Sequence, residues 1–251
     1  MARILSEETS LTRKRNEVLK ETSRLGPAVK IEAIAAAIAI VAGGVYYFIS
    51  GSLAVFGVGI VLGVFSIAHF LKIRENRSEE KRVQAGIKGE ARMTGLLAEK
   101  LDNQHYVIND FTIKAGRKSA QIDHLVISPS GIFAIETKNW KGHIEGEESD
   151  DKWQQVREPG EPPSPVSNPT QQVRRHLDVL REALERERID WPDVIGMVVF
   201  TSPRSSFYVP EGKIPVLKPD EAVDAILRYH GAGSYDDAAI SKAVNFFMRN
   251  V

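Results

Sequence analysis

The chain of 251 residues contains no cysteine. Disulfides, thiolate nucleophiles and cysteine-ligated zinc are therefore excluded. Histidine is scarce too: the six are scattered, none in an HExxH-type spacing, so no histidine-built metal motif is written in the chain. There is no net charge, with 33 basic and 33 acidic residues, and no internal repeat. The zero conceals an asymmetry. Residues 1–88 carry 13 Lys and Arg against 8 Asp and Glu, a net of +5, and residues 89–251 carry 20 against 25, a net of −5. The length suits one globular domain with something added.

What is added is apolar. Residues 33–49 and 53–71 are runs free of Asp, Glu, Lys and Arg, separated by Ser50-Gly51-Ser52. Each approaches the roughly 20 residues that cross a bilayer core as a helix. Arg13, Lys14, Arg15, Lys20, Arg24 and Lys30 precede the first run, and Lys72, Arg74, Arg77, Lys81 and Arg82 follow the second. An uncharged loop between basic flanks predicts a multi-pass cell-membrane hairpin with both termini in the cytoplasm. His69, the one titratable residue of the second run, lies near its end and is expected at the interface. Residues 1–30 form a polar N-terminal segment, where Ile4, Leu11, Val18 and Leu25 recur every seventh position and predict a helix. The predicted divisions are 1–30, a membrane hairpin over 31–72, a charged stalk over 73–88 in which Gly86 and Gly89 loosen the helix, and a soluble domain over 89–251.

The soluble part is organised around QIDHLVISPSGIFAIETKNW, residues 121–140. Two apolar runs flank Ser128-Pro129-Ser130-Gly131, which reads as a hairpin turn. A turn centred on Pro129-Ser130 sets Ile127 against Ile132, Leu125 against Ala134 and Asp123 against Glu136. Directly opposed residues share a face, with Cβ atoms about 5 Å apart, and alternation brings Lys138 to that face as well. Glu136 and Lys138 could be a solvated pair at a strand end. Opposed carboxylates, however, destabilise a ladder, and among Ile122, Leu125, Phe133 and Ile135 the repulsion is sharpened. A divalent cation between Asp123 and Glu136 would remove the conflict. His124 is expected on the other face, in a structural role.

Around this hairpin the periodicity predicts a helix over 90–101, with Glu90 in its first turn where a helix dipole would favour it, and a strand over 106–113. A turn over 115–119 follows. Beyond Trp140 come an edge strand over 141–144, a solvated acidic loop over 145–151, a short strand near Trp153 and Val156, and a proline-rich stretch over 159–169 without regular structure. Asn168 and Pro169 then start a helix as N-cap and first residue. Gln172 and His176 lie four apart on one flank of it, polar positions on either a bland or a functional reading. A strand over 194–201, another over 214–217, and helices over 219–228 and 235–248 complete the chain.

Gly89-Glu90, QIDHLV, GIFAIETKNW and NPTQQ, in that order, resemble the nuclease-related domain (NERD) family of the PD-(D/E)XK nuclease superfamily. The resemblance covers roughly residues 89–187 and says nothing of the first eighty. It implies an α/β fold with a restriction-endonuclease-like core, αβββαβ, a mixed sheet flanked by helices, here preceded by the two-helix transmembrane hairpin. It implies Mg²⁺ or Mn²⁺ held by Asp123 and Glu136, with the Thr137 carbonyl and, through water, Glu90. It further implies Lys138 acting on the attacking water or the developing charge, and Gln172 positioning water or phosphate. The function so implied is a membrane-anchored, metal-dependent nuclease whose partner is nucleic acid, DNA ahead of RNA. The alternative is a non-catalytic membrane scaffold that keeps the fold. A homo-oligomer is left open.

Overall fold

The computed structural model describes residues 1–5, 10–50, 54–191, 193–231, 233 and 235–249. In chain order the elements are β1 (Arg3–Ile4), α1 (Ser10–Ser50), α2 (Ala54–Lys100), β2 (Tyr106–Ala115), β3 (Lys118–Ser128), β4 (Gly131–Lys138) and β5 (Gly142–Glu145). They continue with β6 (Lys152–Val156), β7 (Ser164–Ser167), α3 (Pro169–Arg186), β8 (Val194–Phe200), β9 (Ser205–Tyr208), β10 (Val216–Leu217), α4 (Pro219–Arg228) and α5 (Asp237–Met248). They divide into two compact units, one of Met1–Thr9 with Gly86–Val251 and one of Ser10–Ala85.

The first unit is built on a six-stranded mixed sheet in the order β1-β2-β3-β4-β8-β10. β2, β3 and β4 form an antiparallel meander; β4, β8 and β10 run parallel, with α3 as the crossover between β4 and β8. Helix, three strands, helix, strand is the predicted core order. One face of the sheet buries Met93 and Leu97 of α2, Leu101 just beyond its end, and Ala222, Val223 and Ile226 of α4. The other buries Val173, Leu177 and Leu180 of α3 and Phe246 and Phe247 of α5. A second sheet, in the order β7-β6-β5-β9, adds Ile144 and Trp153 to that second core.

Several expectations are corrected. Arg3–Ile4 is not helical: it adds to the edge of β2 in parallel, with Arg3 N–H donating to the His105 carbonyl at 3.0 Å and Leu5 N–H to that of Val107 at 2.8 Å. β5 is not an edge strand, because β9, which no apolar run announces, pairs along its outer side. The proline-rich stretch contains β7 at the sheet edge, where Pro165, opposite Gln154, owes no ladder donor. Gly86 and Gly89 do not interrupt α2. At Gly89 the missing Cβ is what permits packing, since one would come within 2.6 Å of Thr201 Oγ1 and 2.8 Å of Asn139 Cβ.

In the second unit α1 and the start of α2 run antiparallel. His69 Nδ1 lies 2.8 Å from Glu32 Oε2, and Lys14 pairs with Glu79 at 2.8 Å. Several apolar side chains of the described residues are exposed: Phe48 by 95%, and Ile38, Val41, Val64 and Phe65 as well. Among the described residues one helix, α1, is long and apolar enough for a membrane span or a signal sequence, where two spans were expected. The predicted loop and the start of the second run, residues 51–53, lie outside the described residues, and so do several side chains that follow them.

Candidate active site

The β3–β4 hairpin has the predicted register: Ser128 pairs with Gly131, Ile127 with Ile132, Leu125 with Ala134 and His124 with Ile135. Ser128 Oγ donates to the Gly131 carbonyl at 3.1 Å and so closes the turn. The next rung, Asp123 with Glu136, is not formed. Instead the Asp123 carboxylate accepts from Thr137 N–H at 2.7 Å and from Thr137 Oγ1 at 2.9 Å. From Glu136 to Lys138, β4 is held by β8, with Glu136 opposite Val198 and Lys138 opposite Phe200. The sheet thus forks after His124 and Ile135. A side chain takes over the work of the missing ladder bond, and the two carboxylates are spared direct opposition.

The fork extends to β2. Asn109 pairs with His124 and Phe111 with Ile122, which leaves Asp110 at the level of Asp123 with a left-handed φ of 47°. Asp110 accepts from Gln121 Nε2 at 2.6 Å. A two-residue turn at Gly116-Arg117, between the paired Ala115 and Lys118, would have disclosed this third carboxylate. The expected site residues come together around the fork. Lys138 Nζ donates to Glu136 Oε1 at 2.5 Å and to Gln172 Oε1 at 3.1 Å, and lies 6.0 Å from the centre of the Trp140 ring. Glu136 is only 3% exposed, and among the described residues its Oε2 has no partner in good hydrogen-bond geometry, although the Gln172 side chain also favours its charged form.

Glu90 arrives from α2. It stands in mid-helix rather than in a first turn, so the helix-dipole reading of this residue lapses. Burial first, then the charges of Asp123, Asp110 and Glu136, push its carboxyl up to about 8. Burial and the charge of Asp123 push Glu136 up to about 7 against the pull of Lys138. Desolvation raises Asp123 as well, opposed by Lys138 and Thr137. Burial leads in all three, and at Glu90 and Glu136 the neighbouring carboxylates add to it.

α3 closes the site. Asn168 accepts from Thr170 N–H at 2.9 Å and Gln171 N–H at 3.4 Å as the predicted N-cap. Its amide meanwhile donates to the carbonyls of Glu147, Glu148 and Asp150 at 3.1, 3.3 and 2.7 Å. The acidic loop is therefore pinned, not merely solvated, and Glu148 also pairs with Arg174. Gln172 reaches Lys138, and one turn later His176 Nδ1 lies 3.7 Å from the unpartnered Oε2 of Glu136. Burial pushes His176 down to about 4, so it is neutral. His124 stays structural: fully buried, its Nδ1 2.7 Å from Asn109 Oδ1, and driven by burial down to about 3.

Among the described residues no three His, Asp or Glu side chains are arranged to hold a metal ion. The buried Glu136 carboxylate, with its orphaned oxygen, and the half-buried Asp123 nevertheless suit a hard cation, completed by a backbone carbonyl and water. Residues 85–201 match the model of a family described as the nuclease-related domain, NERD. An uncharacterized protein of Bacillus anthracis, pXO1-01, is 30% identical over 105 residues, which cover 41% of this chain and 48% of that relative. The chain therefore spans about half the length of the relative it matches. No solved structure matches.

Proposed function

Because residues 85–201 match the model of the nuclease-related domain family, we propose that this chain is a membrane-anchored, metal-dependent nuclease that hydrolyses phosphodiesters of DNA or RNA on the cytoplasmic side. The observation that carries the reading is the Glu136–Lys138 pair, buried at the fork with one carboxylate oxygen unpartnered and Gln172 holding the ammonium. A surface ion pair would have no need of such a setting. Asp123, Glu136 and the Thr137 carbonyl would hold Mg²⁺ or Mn²⁺, with Glu90 acting through water. The ion would supply a water nucleophile at neutral pH and neutralise charge on the scissile phosphate. Lys138 offers a preorganised cationic donor where negative charge develops during attack. Gln172 Oε1 keeps that ammonium aimed, and Asp123, bound to Thr137, keeps β4 in place beyond the fork.

The apolar runs carry the anchor, and connectivity supports two spans. The strand before α1 and the domain after residue 85 share one sheet. A chain that leaves that sheet for the bilayer must come back to the same side, which two spans achieve and one does not. Basic residues on both flanks assign that side to the cytoplasm. The net charge of −5 over residues 89–251 favours the second reading, a scaffold without catalysis, because nonspecific nucleic-acid binding rests on positive charge.

The full-length protein in lipid nanodiscs, offered single- and double-stranded DNA and RNA with Mg²⁺ or Mn²⁺, decides between the two. Wild type should cleave, and Lys138→Met and Glu136→Gln should each lose roughly 100-fold or more. Equal cleavage by all three would assign the activity elsewhere. A folded wild type that binds the ion and cleaves nothing would establish the scaffold.

A further inference from the structure

Two residues apart on a strand are separated by roughly 6.8 Å, and four apart on a helix by roughly 6 Å. A helix packed antiparallel to a strand can therefore meet strand positions i and i+2 with helix positions j+4 and j. β4 and α3 are related in this way. Lys138, later on the strand, meets Gln172, earlier on the helix, at 3.1 Å, and Glu136 faces His176 at 3.7 Å. The His176 side chain is 12% exposed, and Glu136 Oε2, the atom it faces, is buried without a hydrogen bond.

We propose that His176 is a positioning residue for Glu136, and that Gln172 and His176 form a two-point clamp holding the Glu136–Lys138 pair in its reactive orientation. The inference rests on the nuclease reading of this site and adds a residue to it. In the tautomer with a proton on Nδ1, a shift of under 1 Å from the 3.7 Å separation would bring the imidazole to hydrogen-bond distance of Oε2 and limit rotation of the carboxylate. Oε1 is then kept for Lys138, and Oε2 is presented to the reacting centre. Without the clamp the carboxylate turns about its last bond, and both oxygens compete for the same ammonium.

The test uses the full-length protein in nanodiscs, with His176→Leu removing the N–H at similar bulk and His176→Asn restoring an N–H near the Nδ1 position. Two readouts are taken: steady-state cleavage, and the Mn²⁺ concentration that gives half of the metal-induced rise in melting temperature. Groups that orient a metal-site carboxylate commonly matter by about 10- to 100-fold. The leucine variant should lose at least about tenfold in kcat with KM for nucleic acid unchanged, and need at least about fivefold more Mn²⁺. The asparagine variant should return both to within about threefold of wild type. Wild-type values for His176→Leu, or a folded His176→Asn that rescues neither readout, overturn the clamp. If wild type cleaves nothing, the nuclease reading fails and the clamp stands or falls on the Mn²⁺ titration. A wild type that neither cleaves nor responds to Mn²⁺ overturns both.

Discussion

Glu136 gives one oxygen to Lys138 and leaves the other bare, and the consequence is a domain whose stability depends on pH. Folded Glu90 and Glu136 hold protons up to about 8 and about 7, well above an unfolded carboxyl. The folded state therefore binds more protons than the unfolded state, and stability falls as pH rises through those values. His124 and His176 work in the opposite sense, since burial depresses both, but their contribution is complete above about pH 6.5. The window from pH 6.5 to 8.5 isolates the carboxylates. In EDTA the melting temperature should drop across that window, and Glu136→Gln should make the drop shallower. Millimolar Mg²⁺ or Mn²⁺ should oppose it, because ligand binding stabilises the fold by mass action. A melting temperature that climbs with pH in EDTA would contradict the crowding of negative charge at the fork. The same reasoning bears on Lys138→Met. Its loss leaves Glu136 without a cation, but a carboxyl already near pH 7 can protonate rather than remain a buried charge, so the variant should fold.

Among the elements, α3 does the most to assemble the site, and Asn168 is its hinge pin. One carbonyl oxygen caps the helix while one amide gathers three carbonyls of the acidic loop. Loss of an N-cap costs about 1 kcal/mol, and each further hydrogen bond about 0.5–1.5 kcal/mol. The amide has two protons for those three carbonyls, so about two such bonds are lost: Asn168→Ala should destabilise by about 2–4 kcal/mol, and Asn168→Ser, which can cap but cannot donate to the loop in the same way, should recover about 1 kcal/mol of it. Denaturant titration of the two variants against wild type measures both numbers. Since Gln172 lies one turn beyond the cap, the alanine variant should also lose activity out of proportion to its unfolding. Equal stability of Asn168→Ala and wild type would mean that the loop's other bonds, among them Arg174 to Glu148 and Gln171 Nε2 to the Asp150 carbonyl, hold it without Asn168.

For the molecule as a whole, the arrangement is an insertion: one sheet-forming unit is interrupted between β1 and β2 by the helices of Ser10–Ala85. With both spans in a bilayer, Ser50→Cys at the end of α1 should react with an impermeant thiol reagent added to intact cells. Ser241→Cys in α5 should react only after the cells are opened. The chain has no native cysteine to confuse the reading. Labelling of Ser241→Cys from outside, with Ser50→Cys protected, would refute the topology.

Periodicity and turn chemistry were enough to place most elements of the core, because they are local. The Ser128–Gly131 turn, the strands beside it, the Asn168-Pro169 helix start and α4 at Pro219–Arg228 each depend on residues within a few positions of one another. The family resemblance was legible for the same reason, its motifs being short and ordered. Charge and apolar runs marked out the N-terminal helices, with one of the two expected spans meeting the test of length and composition. What the sequence could not decide was which groups share a neighbourhood once strands diverge. Alternation predicts that Asp123 lies directly against Glu136. In the folded chain that rung is missing, and the Asp123 carboxylate accepts from Thr137 instead. Asp110, Glu90 in mid-helix and His176 belong to the same lesson, for their surroundings are made by β3, β4 and α3 in space. The pairing of β1 with β2 is the extreme case: Arg3 and Tyr106 are joined across more than a hundred residues, and no local pattern encodes a contact whose two halves are that far apart.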